Sequence, residues 1–341
     1  MSEPGGKPAQ QSGRSGRSRA SGGSLQMPAH PPMTAPAIRG ARLMLRPSEQ
    51  AGRRRVLVIY NPTAGRRRRK RFSKTLRQLA RLGCAVTVRE TLAQGEARTF
   101  AAEGAGQGYD AIVVAGGDGT INEAAAALAF TTERVAVIPI GTANVLATEL
   151  GLPKKPEAIA QTIVHGPERS IHFGRLGENH FVMMAGVGFD ARVVAQMSTG
   201  LKNILGKYAY VIGAVRQLIR HKPARFRIRL DGETVEAWGA IIANGRRYAG
   251  RYVVAPKADL EEPVFHAVLF LRRGRIANFF YAIQMLLGTL PRSRGVRIVE
   301  TRAGAFEAPE GEPVQADGDP AGTTPVDFRI AGRRLTIIVP R

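Results

Sequence analysis

The feature that most constrains the fold of this chain is an apolar segment that ends in a glycine-rich turn. Residues 111–115 are apolar, GGDGT follows at 116–120, and an alanine-rich helical pattern begins at Ile121. This order predicts a strand, a tight turn and a helix N-terminus. Such a turn is suited to phosphate, because glycine lets backbone N–H groups approach a ligand and the helix dipole favours anions. A carboxylate there, Asp118, favours a bridging Mg²⁺, so the turn indicates phosphoryl transfer.

The same alternation of strands and helices extends from about residue 54 to residue 170. The predicted strands are 56–60, 85–89, 111–115 and 135–138; the predicted helices are 72–82, 97–106 and 121–129, and another helix opens at 141–144. Alternating elements predict a doubly wound parallel sheet. Ligands of such sheets bind beyond the carboxyl ends of the strands. The turns 61–65, 116–120 and 141–144 all follow strands, so we expect them to converge on one site.

The rest of the chain shows two other sequence patterns. After about residue 170, short alternating segments at 226–230, 235–243, 267–271 and 335–339 predict an antiparallel β-sandwich with helical insertions at 208–220 and 276–290. Residues 1–52 are rich in Ser, Gly, Pro and Arg and predict a disordered basic tail. We therefore predict a tail over 1–52, an α/β nucleotide-binding domain over 53–170 and a β-sandwich over 171–341, with the active site in the cleft between the folded domains.

The net charge of +23 is concentrated near the N-terminus. Residues 1–55 carry ten Lys or Arg against two Glu, and residues 66–71 read RRRRKR. Anionic membrane surfaces and nucleic acids are the natural partners of such segments. The single cysteine, Cys84, excludes an intrachain disulfide and a thiolate metal cage, and it predicts a buried thiol in a reducing, cytosolic compartment. No apolar run reaches the ~20 residues that a spanning helix needs.

Two other phosphate-binding motifs are absent from the sequence. No Gly-x-x-x-x-Gly-Lys-Ser/Thr occurs, and no Gly-x-Gly-x-x-Gly follows the first strand, which argues against a Walker-type NTPase and a hydride-transferring dinucleotide enzyme. The remaining alternative for the 116–120 turn is a ligand-free turn in which Asp118 only caps a helix.

Three turns in order resemble the signatures of the diacylglycerol kinase catalytic-domain family, which includes bacterial diacylglycerol kinases and sphingosine kinases. They are NPTAG at 61–65, GGDGT at 116–120 and IPIGTAN at 138–144, and the resemblance extends over about residues 54–341. It implies a nucleotide-binding α/β domain, a β-sandwich, and ATP between them. Small polar residues at strand ends are also routine turn residues, so ordinary capping is the alternative for each. By position, the resemblance implies nucleotide contacts by Asn61, Pro62, Thr63, Ala64, Gly65, Thr91, Gly116, Gly117, Asp118, Gly119, Thr120, Ile121, Asn122 and Thr142.

Two later motifs also resemble the family. QADGD at 315–319 is similar to its Asp-Gly-Glu signature, which implies that Asp317 accepts the proton of the lipid hydroxyl while Asp118 organises Mg²⁺. Asp319 stands where glutamate is usual and has a shorter reach. In GVGFDA at 186–191, Asp190 matches an acidic position that orients the substrate in sphingosine kinases. The alternatives are an ordinary Asp-Gly hairpin turn at 317–318 and a helix cap at Asp190.

One departure concerns a metal loop. Bacterial relatives carry Asp-Asp-Gly in a loop that holds a structural Mg²⁺, whereas this chain reads ADLEEPV at 258–264. Pro263 replaces the glycine and fixes φ, so the loop geometry is expected to differ. Glu262 is left as the candidate metal ligand.

Two segments allow a surface role. The basic run 66–71 is either a solvated helix face or a contact for lipid head groups and ATP phosphates. The apolar stretch 279–290, which arginines flank on both sides, either packs on the sandwich or rests on a bilayer, and its periodicity favours core packing.

Together these observations predict an ATP- and Mg²⁺-dependent lipid kinase acting on the hydroxyl of diacylglycerol or a sphingoid base. We expect a cytoplasmic protein, peripheral at the inner membrane face, in contact with anionic lipid and without a nucleic-acid partner; the sequence leaves the subunit number open, and a dimer is compatible with it. A soluble nucleotide kinase of the NAD kinase type shares the GGDG turn, but NPTAG and GTAN favour the lipid kinase. A non-catalytic protein that binds anionic surfaces is the other alternative, and deletion of residues 1–52 separates it from a kinase.

Overall fold

A computed structural model describes residues 43–45, 55–64, 68–129, 131–195 and 223–341. Most of the predicted tail, the predicted helix at 208–220, Gly65, Arg66 and Arg67 lie outside these residues. The first lobe contains β1 (Leu43–Leu45), β2 (Arg55–Tyr60), α1 (Arg69–Arg81), β3 (Ala85–Glu90), α2 (Glu96–Gly104), β4 (Ala111–Gly116), α3 (Asp118–Leu128), β5 (Arg134–Pro139), α4 (Val145–Glu149) and α5 (Pro156–His165).

The first lobe is a doubly wound sheet, as the sequence predicts. Its strands lie in the order β3-β2-β4-β5 and are parallel. Helices α1 and α5 cover one face, and α2 and α3 cover the other, because each strand is apolar on both sides. The chain leaves β2 toward β3 on one side and later continues from β4 to β5 on the other. The carboxyl ends of β2 and β4 therefore form the switch point at which such sheets bind ligands.

The N-terminal tail prediction is wrong at one place. Residues 43–45 form β1, which pairs antiparallel with β3 at the edge of the sheet. Cys84, between α1 and β3, is fully buried, as predicted.

The second lobe is a β-sandwich. One layer is the antiparallel six-stranded sheet β15-β14-β11-β8-β17-β18, and the other contains β6, β7, β9, β10, β16 and β19. Buried phenylalanines fill the space between the layers. Its elements are β6 (Glu168–Leu176), β7 (Asn179–Phe181), β8 (Met184–Val187), α6 (Phe189–Ala195), β9 (Phe226–Leu230), β10 (Glu233–Ala237), β11 (Ala240–Ala243), β12 (Arg247–Tyr248), β13 (Tyr252–Val253), β14 (Phe265–Phe270), α7 (Arg275–Leu286), a 3₁₀ turn (Leu290–Arg292), β15 (Val296–Thr301), β16 (Ala303–Ala308), β17 (Pro313–Ala316), β18 (Asp319–Thr323) and β19 (Val326–Ile338).

Strand β19 joins the two lobes. Its first half pairs antiparallel with β16 in the sandwich, whereas Thr336 and Ile337 pair in parallel with Arg134 and Val135 of β5. The α/β sheet and one layer of the sandwich are therefore one continuous sheet. The strand predicted at 335–339 completes the first lobe as well as the second, and the predicted boundary at residue 170 falls inside β6.

Two predictions about the second lobe need correction. The segment 235–243 is two strands, β10 and β11, that belong to different layers of the sandwich. The favoured core packing of the 276–290 helix is correct for one side only: Tyr281 is buried, but Phe279 and Phe280 are exposed. None of the helices in the described ranges is long and apolar enough to cross a membrane.

Candidate active site

The first two predicted turns are joined at the switch point. Asn61 follows β2, and its Nδ2 donates a hydrogen bond to Oγ1 of Thr120 at 2.9 Å. Its Oδ1 accepts bonds from the backbone N–H groups of Thr63 and Ala64 at 3.0 and 3.3 Å. Asn61 therefore folds its own turn and holds it against the helix N-terminus that follows Gly116.

The second and third turns touch through backbone atoms. A Cβ placed on Gly141 would lie 2.3 Å from Cα of Gly117 and 2.9 Å from Oδ1 of Asn144. A Cβ on Gly116 would lie 2.5 Å from Cβ of Thr120. These distances are shorter than non-bonded carbon atoms allow, so only glycine permits this approach. All three turns therefore meet at one edge of the sheet, as the sequence predicts.

Asp118 connects these turns in a way that the sequence did not indicate. Its Oδ1 accepts a 2.6 Å bond from the backbone N–H of Val145, the first residue of α4. Asn144, in the left-handed conformation with φ 48°, precedes that helix and donates from Nδ2 to the carbonyl of Gly141 at 2.8 Å. Asp118, in the first turn of α3, thus also caps α4. Burial raises the pKa of Asp118, and the backbone bonds oppose that rise.

Asp317 enters the site from the second lobe. It stands in the turn between β17 and β18 with φ 49°, and its carboxylate accepts bonds from the backbone N–H groups of Val182, Met183 and Met184 at 2.6, 2.9 and 2.9 Å. Burial, aided by the charge of Asp118, raises the pKa of Asp317 to about 6 against the lowering effect of these bonds.

The same hairpin approaches the glycine turn directly. A Cβ on Gly119 would lie 3.4 Å from Oδ2 of Asp319. Asp319 therefore faces the N-terminal turn of α3, beside Asp118, and the predicted cleft between the lobes is the place where the motifs of both lobes meet.

Asp190 connects to this hairpin through Gln315. Nε2 of Gln315 donates to Oδ2 of Asp190 at 3.3 Å, and its Oε1 accepts from the backbone N–H of Gly318 at 2.8 Å. Burial raises the pKa of Asp190 to about 7, although the bonds from Ala191 and Gln315 oppose the rise. Sequence reasoning missed Gln315. No local signal could have found it, because its partner Asp190 lies 125 residues away in the sequence.

The other predicted nucleotide contacts divide into two groups. Thr142 and Thr63 are exposed, and Pro62 and Ala64 are half-buried. By contrast, Thr91 is buried, and its backbone N–H donates a hydrogen bond to the carbonyl of Tyr60. The side chain of Ile121 lies in the core, and its backbone N–H donates a hydrogen bond to the carbonyl of Gly117. Nδ2 of Asn122 donates to the carbonyl of His180 in the second lobe at 3.3 Å. The side chains of Ile121 and Asn122 therefore contact the protein behind the turn, and their nucleotide contacts stay predictions.

The carboxylates of the cleft fit one kind of metal site. Hard oxygen donors suit Mg²⁺, which is usually held by one or two carboxylates together with substrate phosphates. Asp118 and Asp317 can supply those oxygens. Glu262 does not gain such partners: it is exposed in the 258–264 loop, and within the described ranges no three His, Cys, Asp or Glu side chains gather to hold a metal.

An ion pair with a buried glutamate fixes α4, the helix after the third turn, to the second lobe. Glu149 of α4 is almost fully buried, and its Oε1 accepts from Nε of Arg246 at 2.8 Å, while Nε of Arg247 is 3.6 Å from Oε2. Arg71, from the predicted basic run, donates to the carbonyl of Pro139 at 3.2 Å and so lies at the same end of β5.

Comparison with known proteins matches both lobes. Residues 55–176 match the family model described as the diacylglycerol kinase catalytic domain, and residues 183–339 match the YegS C-terminal NAD kinase beta sandwich-like domain. The first lobe belongs to the diacylglycerol kinase catalytic-domain family. Membership confirms the predicted combination of an α/β domain with a β-sandwich, and it confirms the prediction of a lipid kinase at the level of the family.

Individual relatives of this family agree with that assignment. A diacylglycerol kinase of Bacillus subtilis is 29% identical over 296 residues, which is 84% of this chain and 97% of that protein. A diacylglycerol kinase of Staphylococcus aureus is 26% identical over 84% of this chain and 93% of its own. A solved structure from Bacillus anthracis has the same fold, with a TM-score of 0.70 at 22% identity, covering 86% of this chain and 98% of that one.

Proposed function

We propose that this chain transfers the γ-phosphate of ATP, with Mg²⁺, to the hydroxyl of a membrane lipid alcohol. Diacylglycerol is the first candidate substrate, because it is in the names of the relatives, and a sphingoid base is the second. The observation that carries the proposal is the position of Asp317. A carboxylate held by three backbone N–H groups of the second lobe lies within electrostatic reach of Asp118 in the glycine turn of the first lobe.

The three turns supply the phosphate site. The first N–H groups of α3 have no intrahelical acceptors and carry the positive end of the helix dipole, so they favour phosphate oxygens. The exposed hydroxyl of Thr142 and the turn at Asn61 offer further polar groups at the same edge. When bound, Mg²⁺ neutralises charge on the phosphates, and Asp118 is the residue that would hold it. Asp118 can do so while it caps α4, because a carboxylate has about four acceptor positions.

Asp317 is suited to accept the hydroxyl proton. A pKa of about 6 leaves the carboxylate ionised at neutral pH and still basic enough to take a proton as the hydroxyl oxygen attacks phosphorus. The backbone N–H groups from residues 182–184 fix its position, and Gln315 fixes the turn that carries it. Positioning of this kind contributes most in phosphoryl transfer, whose transition state is loose.

We also propose a cytoplasmic protein that works at the inner face of the membrane, since its substrate would reside there. The NAD kinase alternative is less well supported, because the first lobe matches the diacylglycerol kinase model. The basic tail is not needed for turnover in this proposal.

The experiment is a radiolabelled-ATP assay with diacylglycerol, sphingosine and NAD offered separately, the lipids in mixed micelles. Product should form on a lipid, and both Asp118→Asn and Asp317→Asn should abolish it. Asp327→Asn is the matched control, because Asp327 is an exposed aspartate on β19 outside the cleft. Phosphorylation of NAD alone, or full lipid turnover in both cleft variants, would overturn the proposal.

A further inference from the structure

Exposed apolar side chains are concentrated in one part of the described chain. Among the residues that the structure describes, seven large hydrophobic side chains are exposed. Six of the seven lie between residues 271 and 287, in α7 or beside it. Scattered exposed hydrophobics are normal, but a contiguous group marks an interaction surface. The seven are Leu92, Leu271, Ile276, Phe279, Phe280, Leu286 and Leu287.

Helix α7 has two apolar sides. Ala277, Tyr281 and Met285 recur every four residues and pack against the core. The Tyr281 hydroxyl donates to the carbonyl of Gly295 at 2.7 Å and accepts from the N–H of Arg272 at 3.0 Å, so this side is firmly anchored. At about 100° per residue, the opposite side forms an apolar stripe roughly 120° wide. We call this stripe the outer face; it consists of Ile276, Phe279, Phe280, Ile283, Leu286 and Leu287.

Exposed arginines flank the outer face at both ends. The stretch from residue 271 to residue 295 contains no aspartate or glutamate. Arg273 lies 5.3 Å from the ring centroid of Trp238, so part of this charge is held in place. An apolar stripe whose own segment of the chain carries only positive charges is complementary to an anionic lipid surface. The flanking arginines are Arg272, Arg273, Arg275, Arg292 and Arg294.

We propose that the outer face of α7 docks on an anionic membrane surface. A second copy of the chain is a poorer occupant, because a two-fold contact of this face would bring the same arginines together. The inference rests on the proposed function, since a kinase for a membrane lipid needs its cleft at the membrane. Helix α7 packs on β13, and the hairpin of β12 and β13 reaches the third turn, where a Cβ on Gly250 would lie 3.2 Å from the carbonyl oxygen of Ala143.

The first test is sedimentation of the full chain with vesicles. The wild type should bind phosphatidylcholine vesicles that contain phosphatidylglycerol more strongly than pure phosphatidylcholine vesicles. Phe279→Ser with Phe280→Ser should weaken binding by about 10- to 100-fold, since two large side chains leave the lipid. Leu92→Ser removes a leucine that is equally exposed in the first lobe, and it should not change binding. Equal binding by the wild type and the double variant would overturn the proposal.

The second test reports which surface covers the outer face. Cys84 is fully buried, so a cysteine introduced as Phe280→Cys can be labelled selectively with an environment-sensitive fluorophore. Its emission should indicate water in the free protein and an apolar surrounding once phosphatidylglycerol vesicles are added. An apolar signal that is present without vesicles, or a dimer that the Phe279/Phe280 variant dissociates, would show that protein covers this face and would overturn the proposal.

A third measurement separates this inference from the proposed function. Short-chain diacylglycerol in neutral detergent micelles should be phosphorylated equally by the wild type and the Phe279/Phe280 variant, whereas long-chain diacylglycerol in anionic vesicles should be phosphorylated more slowly by the variant. Absence of lipid turnover in both proteins contradicts the proposed function, and the vesicle-binding comparison still decides the docking surface. Equal turnover of both proteins on the anionic vesicles contradicts the docking proposal alone.

Discussion

The carboxylates of Asp118 and Asp317 belong to different lobes, yet the charge of Asp118 contributes to the raised pKa of Asp317. Burial is the larger cause of that rise. The two acids are therefore held close together by separate sets of backbone N–H groups, one at α4 and one at residues 182–184. The charge of Asp118 thus helps to keep Asp317 basic, which links the motifs of the two lobes in one site.

The first prediction concerns the pH dependence of turnover. A base must be deprotonated, so kcat/KM for lipid phosphorylation should fall as the pH decreases through about 6, the pKa of Asp317. Measuring kcat/KM between pH 5 and pH 8 in steps of ~0.5 pH units, at saturating Mg²⁺ and ATP, checks this. Asp327→Asn should show the same profile, whereas a rate that does not change across pH 6 would contradict the role of Asp317.

The second prediction concerns the contact between the glycine turns. Gly141→Ala inserts a methyl group 2.3 Å from Cα of Gly117, so the turns must separate. We expect a loss of about 1–3 kcal/mol in the free energy of unfolding, together with weaker ATP binding. Urea denaturation and nucleotide titration measure the two effects. Gly332→Ala is the matched control, because no heavy atom lies within 4 Å of its added Cβ and its φ is not positive; a similar loss there would refute the argument.

The third prediction concerns Asp190 and stability. The pKa of Asp190 is about 7 in the folded protein and lower in the unfolded chain. At a pH between these two pKa values, the folded protein therefore binds a proton that the unfolded chain does not. The contribution of Asp190 to the free energy of unfolding is then fully present below the pKa of the unfolded chain, and it is lost as the pH rises through 7. Asp190→Asn keeps an acceptor for Gln315 without a charge, and it should flatten this dependence and gain roughly 1–2 kcal/mol at pH 8. Urea unfolding of the wild type and the variant at pH 5 and pH 8 tests this prediction. The same difference in unfolding free energy between the two pH values in both proteins would be inconsistent with a neutral Asp190.

The fourth prediction concerns the ion pair between the lobes. Arg246→Met leaves the buried carboxylate of Glu149 with a backbone N–H and the more distant Arg247 as its only positive partner, so it should cost about 2–4 kcal/mol of folding free energy. Glu149→Gln removes the buried charge and leaves Arg246 half-exposed, so its cost should be smaller. Thermal unfolding of both variants and of the double variant compares them. Equal costs would mean that the charge on Glu149 is not the deciding factor.

The sequence predicted the turns well because their chemistry is local. Glycines, small polar residues and strand ends are read directly, and parallel strands bring their carboxyl ends together, so the meeting of Asn61, Gly117 and Gly141 could be expected. The late Asp-Gly motif could be placed opposite them only through the family resemblance.

The contacts that the sequence did not predict run between distant segments. Asp118 caps a helix that begins at Val145, and Gln315 bonds to Asp190; neither spacing has a local signature. The division of the 235–243 segment between two layers, and the two apolar sides of α7, depend on which surfaces the fold brings nearby. Hydrophobic periodicity identifies an apolar face but does not say what covers it.

Strand β19 makes the order of synthesis matter. The neighbour of β5 in the sheet is made roughly 200 residues after β5 itself, which at ribosomal speed corresponds to about 10–40 seconds. During that time the outer edge of β5 has no final partner, and a bare strand edge invites pairing with other chains. The first lobe of a nascent molecule therefore waits for the last strand of the second lobe, and a truncation that removes β19 should release an aggregating chain instead of an independently folded first lobe.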